Sequence, residues 1–381
     1  MLFAAVIIAF AVSFAGTLLV RRVALWGGAI SYPDGRRHRH ELPTPLWGGA
    51  AVFAGACVGL GLLFFLSSFA YPSVLNAFFV CGALLCLLGT FDDRFELRAR
   101  WKLLGQIIAV APVFWIFGHV EELDIGTMQI HLGPVGVPFT LLWILAGTNA
   151  FNLLDGMDGF ATVTATAVAL AIAFLAVWGG QAEELALALV LAGALLGFLP
   201  HNLPRARIYL GDCGSLVIGL ALALAALAVT GWSTRYIQMN LPTAFCLFFL
   251  PLADTTLAVV RRTLRGRGFM TADREHVHHR LLDRGFSPWT ILALAFAISA
   301  AVGSAACISA ILGREFWIWI LAPVWIALLI RLKLVAHVEW DMILARLRDW
   351  RTIPKRYERA PSAPCALDRE TIPTPASRNA A

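Results

Sequence analysis

Long apolar runs, each about long enough to cross a lipid bilayer as a helix, follow one another along this chain. A hydrocarbon core of about 30 Å is spanned by roughly 20 mostly apolar residues. Such runs lie near 2–20, 47–69, 74–91, 103–119, 134–150, 160–179, 184–200, 213–231, 241–260, 288–312 and 316–334. They predict an all-α polytopic membrane protein with eleven spans, ten being the alternative count. Residues 1–334 are expected to form one membrane domain and 335–381 a tail. Of the 381 residues, 59% are hydrophobic and 14% charged, with mean hydropathy +0.75. A soluble domain carries about 25% charged residues, so a soluble enzyme, a disordered chain and a disulfide-rich secreted domain are excluded.

The basic residues orient the spans. Of the 30 Arg and Lys, 28 fall in alternate loops (21–46, 92–102, 151–159, 201–212, 261–287 and the C-terminal end from Arg331). Only Arg235 and Arg314 fall in the other set. Loops rich in Lys and Arg stay cytoplasmic, so the N-terminus is expected outside and the C-terminus inside. The net charge of +6 is thereby explained by topology and anionic lipid, and no nucleic-acid partner is expected. The first run has no small-residue cleavage site and reads as an uncleaved helix. Residues 120–133 alternate apolar and polar around Gly126-Thr127 and predict a short outer hairpin. From Val338 to Trp350 one helical face carries Trp340, Ile343, Leu344, Leu347 and Trp350, predicting an interfacial helix, with polar disorder beyond Pro354. Seven cysteines without a CxxC pair support neither a zinc knuckle nor a disulfide framework.

Four polar clusters share the inner face. Gly89-Thr90-Phe91-Asp92-Asp93-Arg94, with Lys102 and Gln106 following, sets two adjacent carboxylates at a membrane border, which is costly without a cation or basic partner. In Asn149–Gly159 the residues Asn149, Asn152 and Asp155 fall on roughly one helical face and offer hard oxygen ligands for a divalent cation. That stretch contains no Lys or Arg, so topology does not explain it. His201–Ser215 sets Asp212 between glycines at the start of an apolar run, as a cation ligand or as a helix cap. The last cluster runs from Arg261-Arg262 to His276-Val277-His278-His279-Arg280. Zinc is one reading of its histidines, but the surrounding arginines and the missing HExxH spacing fit a pyrophosphate better. Val277 would separate His276 and His278 by about 200° on a helix, which predicts an extended or turn conformation here. Together these groups form a metal-and-cation constellation suited to phosphoryl transfer at the lipid border.

The four motifs, in this order on one membrane face, resemble the polyprenyl-phosphate N-acetylhexosamine-1-phosphate transferases. The likeness covers about Arg36 to His279 and includes Pro43, Pro45, Gly48 and Gly49; Arg37-His38-Arg39-His40 has histidine where the family has lysine. The resemblance implies transfer of a HexNAc-1-phosphate, GlcNAc-1-phosphate foremost, from a UDP-N-acetylhexosamine to undecaprenyl phosphate, releasing UMP. It also implies a Mg²⁺ cofactor, replaceable by Mn²⁺, and a cytoplasmic-face site in the bacterial inner membrane. The product would start a lipid-linked cell-surface glycan. Carried over, Asp92 and Asp93 are the paired catalytic carboxylates, with Lys102 and Asp155 also catalytic. Asp212 and Asn152 are metal ligands. Asn149, Asp158, Tyr209, His276, His278 and His279 bind substrate, Tyr209 and Asp158 at the uracil and the histidines at the pyrophosphate. Membrane lipid is an expected partner and a homodimer an open expectation.

Three alternatives are weighed. A phospho-MurNAc-pentapeptide transferase belongs to the same superfamily. A CDP-alcohol phosphotransferase would show D-x-x-D-G with two further aspartates, a pattern that Asn149–Gly159 does not match. A transporter would carry its polar groups in mid-span and often an internal repeat. For the transferase, direct attack by the lipid phosphate is favoured over an aspartyl-phosphate intermediate, because the phosphate is already anionic near neutral pH.

Overall fold

The computed structural model describes residues 1–32, 43–66, 74–126, 128–230, 237–266, 276–314, 316–331, 339–340 and 342–344. Its elements follow the apolar runs. Helix α1 (Leu2–Gly27) ends at Gly28 in the left-handed region, and β1 (Ile30–Ser31) pairs antiparallel with β2 (Thr44–Pro45). Then come α2 (Gly48–Leu66), α3 (Val74–Phe95), α4 (Ala99–Val110) and α5 (Val113–Ile116), the last two separated at Pro112. The strands β3 (Val120–Asp124) and β4 (Gln129–His131) precede α6 (Gly136–Leu154), α7 (Phe160–Gly179), α8 (Ala182–Asn202) and α9 (Asp212–Thr230). The chain continues through β5 (Ile237–Asn240), α10 (Leu241–Leu247), α11 (Phe249–Leu264), α12 (Val277–Asp283), α13 (Pro288–Ile311) and α14 (Phe316–Arg331).

Among the described residues nine helices are long and apolar enough to cross a bilayer. Helix α9 is the hub, packing on α2, α3, α6, α7, α8 and α10. Hydrophobicity gives little drive between helices in lipid, so close approach through small residues does that work. The sequence of α9 is rich in Gly and Ala, and a Cβ at Gly219 would stand 2.5 Å from Thr148 Cα of α6. At the N-terminal end of α9, a Cβ at Gly49 of α2 would stand 1.9 Å from Gly214 Cα. Large apolar side chains such as Phe3, Leu19, Leu87, Ile108 and Phe174 point outward, as lipid-facing residues do.

Three expectations need correction. The run at 241–260 is not one straight span, because α10 and α11 meet at an 84° bend. Pro251 has no N–H to donate to the Leu247 carbonyl, and a proline is tolerated in the first turn of a new helix. The expected loop 92–102 is mostly helix: α3 continues through Asp92 and Asp93, and α4 starts at Ala99, ahead of Lys102. The histidine stretch is extended only at His276 (φ −60°, ψ 154°), and α12 begins at Val277.

The hairpin is present, with Glu122 opposite His131 and Asp124 opposite Gln129. Its partner β5, which runs parallel to β3, lies more than a hundred residues further along the chain. Of the eleventh run, 316–331 is helical; residues 332–338 lie outside the described set, as do the 33–42 loop and the tail beyond Leu344. Of the expected interfacial helix, residues 339–340 and 342–344 are described and helical. Glu339 is buried against Arg261 and Arg280, which hold its carboxyl below the usual range although burial alone would raise it.

Candidate active site

Asp92 and Asp93 are neighbours on a helix, so their side chains diverge by about 100° and take different partners. Asp92 turns to α4: Oδ2 lies 2.8 Å from Lys102 Nζ, and Oδ1 accepts the Leu97 N–H at 2.7 Å. Asp93 turns to α9, where it accepts the Asp212 N–H at 2.8 Å and the Cys213 N–H at 3.4 Å. It therefore caps the amides at the start of α9, where a carboxylate is favoured. A Cβ at Gly211 (φ 74°) would lie 2.5 Å from Asp93 Oδ2, so this turn requires glycine.

Lys102 is the centre of the constellation. Besides Asp92, its ammonium pairs with Asp212 and donates to Asn152 Oδ1 at 3.3 Å. The Asn152 amide in turn donates to Asp212 and, at 2.9 Å, to Ser215 Oγ. One turn away, Gln106 and Asn149 exchange amide hydrogen bonds at 2.8 and 3.3 Å. Lys102 and Gln106 are four apart on α4, and Asn149 and Asn152 three apart on α6, so the two helices are joined by two polar rungs. Asn149, expected at the substrate, is occupied in that lower rung.

Asp155 is the residue at the C-terminal cap of α6 and accepts from the Gly211 amide. Burial, followed by the charges of Asp212 and Asp93, holds its carboxyl well above the usual carboxylate range. Asp158 accepts the backbone N–H groups of Arg205 and Ala206 at 3.0 and 2.9 Å, so one of its oxygens shapes the 203–211 loop. Tyr209 is tied to β2 by its backbone, donating to Pro45 O at 2.9 Å while its carbonyl accepts from Gly48. Its hydroxyl bonds Thr44, and burial pushes it up to about 12.

The histidines reach this region through α12. His278 is fully buried, with neither ring nitrogen hydrogen-bonded among the described residues, and a Cβ at Gly156 would stand 2.8 Å from its Nε2. Burial pushes its pKa down to about 3, so it meets its surroundings as a neutral ring. His276 lies parallel to it with centroids 5.9 Å apart and is bonded to Asp254; the His279 ring lies 4.3 Å from that of His278.

The sequence-predicted groups thus converge in a graded way. Asp92, Asn152 and Asp212 all meet Lys102, with Asp155 beside them. Asp93 and Asn149 support from behind, Asp158 and Tyr209 fix the adjoining loop, and the histidines close the side at Gly156. Asp254, Ser215 and Glu339 were missed. A lone carboxylate in an apolar run, such as Asp254, was the signal available.

Among the described residues no three His, Cys, Asp or Glu side chains gather at one point as a full metal cage. A Mg²⁺ ion does not require one, because it is commonly bound by one or two carboxylates together with substrate phosphates. Asp212 with the Asn152 amide oxygen fits that mode.

Fold and site define a polytopic membrane enzyme with a carboxylate–lysine–amide centre at one end of its helices. The family model of glycosyl transferase family 4 matches residues 75–230. Over 340 residues, 87% of this chain and 92% of the relative, the sequence is 31% identical to the probable undecaprenyl-phosphate N-acetylglucosaminyl 1-phosphate transferase of Bacillus subtilis (strain 168). It is 35% identical to the decaprenyl-phosphate N-acetylglucosaminephosphotransferase of Mycobacterium tuberculosis (strain CDC 1551 / Oshkosh), over 72% of this chain and 74% of the relative. A third relative, the undecaprenyl-phosphate alpha-N-acetylglucosaminyl 1-phosphate transferase of Salmonella typhi, is 31% identical over 75% and 78%. The chain belongs to glycosyl transferase family 4.

Proposed function

We propose that this chain transfers GlcNAc-1-phosphate from UDP-GlcNAc to undecaprenyl phosphate with Mg²⁺, at the cytoplasmic face of the bacterial inner membrane. The observation that carries the reading is Lys102, held by Asp92 and Asp212 beside Asn152 where α3, α4, α6 and α9 end or begin together. The position of these groups at the helix ends, not in mid-span, argues against a transport path.

The acceptor phosphate carries about −1.5 to −2 charge near pH 7 and needs little help from a base. Its oxygen attacks the β-phosphorus of the UDP-sugar; the new P–O bond forms as the bond to the α-phosphate oxygen breaks, and UMP leaves. Lys102 meets the pyrophosphate charge, and Asp92 fixes the position of that ammonium. Asp212 and the Asn152 oxygen would hold Mg²⁺, which supplies charge neutralisation at the leaving phosphate. Asp93 serves by holding the first amides of α9, which carries Asp212. The purified protein in detergent, given undecaprenyl phosphate and a panel of UDP-sugars, should release UMP fastest with UDP-GlcNAc. EDTA should abolish the release, and Mg²⁺ or Mn²⁺ should restore it. No UMP with any UDP-sugar would refute the proposal, and full turnover after exhaustive chelation would refute the metal.

A further inference from the structure

Asp254 lies on α11 just past the bend and is 2% exposed, a carboxylate within a largely apolar run. Such a group is costly unless paired, and both of its oxygens are occupied. Oδ2 lies 2.8 Å from His276 Nδ1, and Oδ1 accepts the Val277 N–H at 2.9 Å. An ionised carboxylate only accepts, so the proton in the first bond sits on Nδ1. That fixes the imidazole tautomer and leaves Nε2, which has no partner among the described residues, as the nitrogen for a ligand. The ring is held on its other side by His278, parallel at 5.9 Å and 6°, which abuts the Asp155–Gly159 turn at Gly156.

We infer that Asp254 is a positioning residue: it orients His276 so that Nε2 meets the pyrophosphate of the nucleotide sugar, and it is the counter-charge to the imidazolium that forms when Nε2 takes up a proton and donates it in a hydrogen bond to a phosphate oxygen. The inference rests on the transferase reading above. His278 is an uncharged neighbour in this arrangement, so the carboxylate is the charged group bonded to the ring. The Val277 bond lets the same side chain fix where α12 starts, so the ring and its backbone are set together.

The test is a cycle of wild type, Asp254→Asn, His276→Asn and the double variant, with kcat and KM for UDP-GlcNAc and for lipid phosphate read from UMP release. Asn at 276 keeps a donor where Nδ1 was and removes Nε2, so Asp254 stays paired and the fold is retained. Asp254→Asn should lower kcat/KM for UDP-GlcNAc by on the order of tenfold to a hundredfold, the scale for losing the carboxylate behind a functional histidine. The KM for lipid phosphate should not move. The double variant should match His276→Asn within about twofold, because Asp254 acts through that ring. Losses that multiply, or wild-type kinetics in Asp254→Asn, would overturn the inference while leaving the transferase reading intact. A wild type that releases no UMP would overturn the transferase reading itself. Nitrogen-15 NMR of histidine-labelled wild type, assigned with His276→Asn, reads the tautomer without any change at 254. A proton on Nδ1 of His276 is expected, and a bare Nδ1 with Nε2–H would overturn the inference.

Discussion

Lys102→Met removes the one ammonium that touches Asp92, Asn152 and Asp212 while keeping the apolar stem of the side chain. At 2.8 Å and an effective dielectric near 20, the attraction to Asp92 alone is about 6 kcal/mol before desolvation is subtracted. Breaking a buried pair by deleting one member costs about 3–5 kcal/mol. The Lys102 and Asp212 side chains are 18% and 25% exposed, so the lower end applies. Asp92, at 7%, is the group left stranded. A loss of about 3 kcal/mol should appear as a fall of several degrees in melting temperature in detergent. The charge on the reacting pyrophosphate loses a preorganised donor, a change worth about 10²–10³ in kcat. Adding Asp92→Asn removes the stranded charge and should restore most of the lost stability without restoring turnover. A Lys102→Met enzyme that melts and turns over like wild type would refute the central place given to this ammonium.

Asp212→Asn should purify normally yet lose at least about a hundredfold in kcat, and near-normal turnover would reduce Asp212 to the start of a helix. His278 has a folded value near 3 against 6.5 for a free histidine, so the folded state binds fewer protons between those limits. Stability is therefore fully present above about pH 6.5 and falls as the pH drops toward 3. Wild type should lose about 2 kcal/mol more than His278→Phe between pH 7.5 and 5, read from paired melting curves. Gly49→Val would drive a side chain into Gly214 and should prevent accumulation of monodisperse protein, since the clash exceeds the usual about 1–3 kcal/mol of overpacking.

The membrane architecture was legible because span length and apolar continuity are one-dimensional properties. The bend before α11 was also written in the sequence, as Pro251, but the run reads as continuous if only hydropathy is followed. What a linear reading assigned as one pair, Asp92 and Asp93, the helix divides into a group facing Lys102 and a cap for α9. The contact of Asn152 with Asp212 was foreseen only as shared chemistry, since nothing local brings α6 to α9. Small residues such as Gly147 and Gly219 permit that approach without announcing it. The β3–β5 pairing and the burial of Glu339 depend on contacts distant in sequence, which periodicity does not encode.

Asp92 and Lys102 are ten residues apart, whereas Asp93 and Lys102 meet Asp212 across 119 and 110 residues. During synthesis the first pair can close as soon as α3 and α4 have emerged, so one carboxylate enters the membrane border already neutralised. Asp93 has no such companion until four further helical segments have been translated and α9 arrives with its free amides. The centre is thus completed in two stages separated by the making of α5 to α8, and the capping of α9 by Asp93 marks the moment at which the early and late halves of the chain have joined.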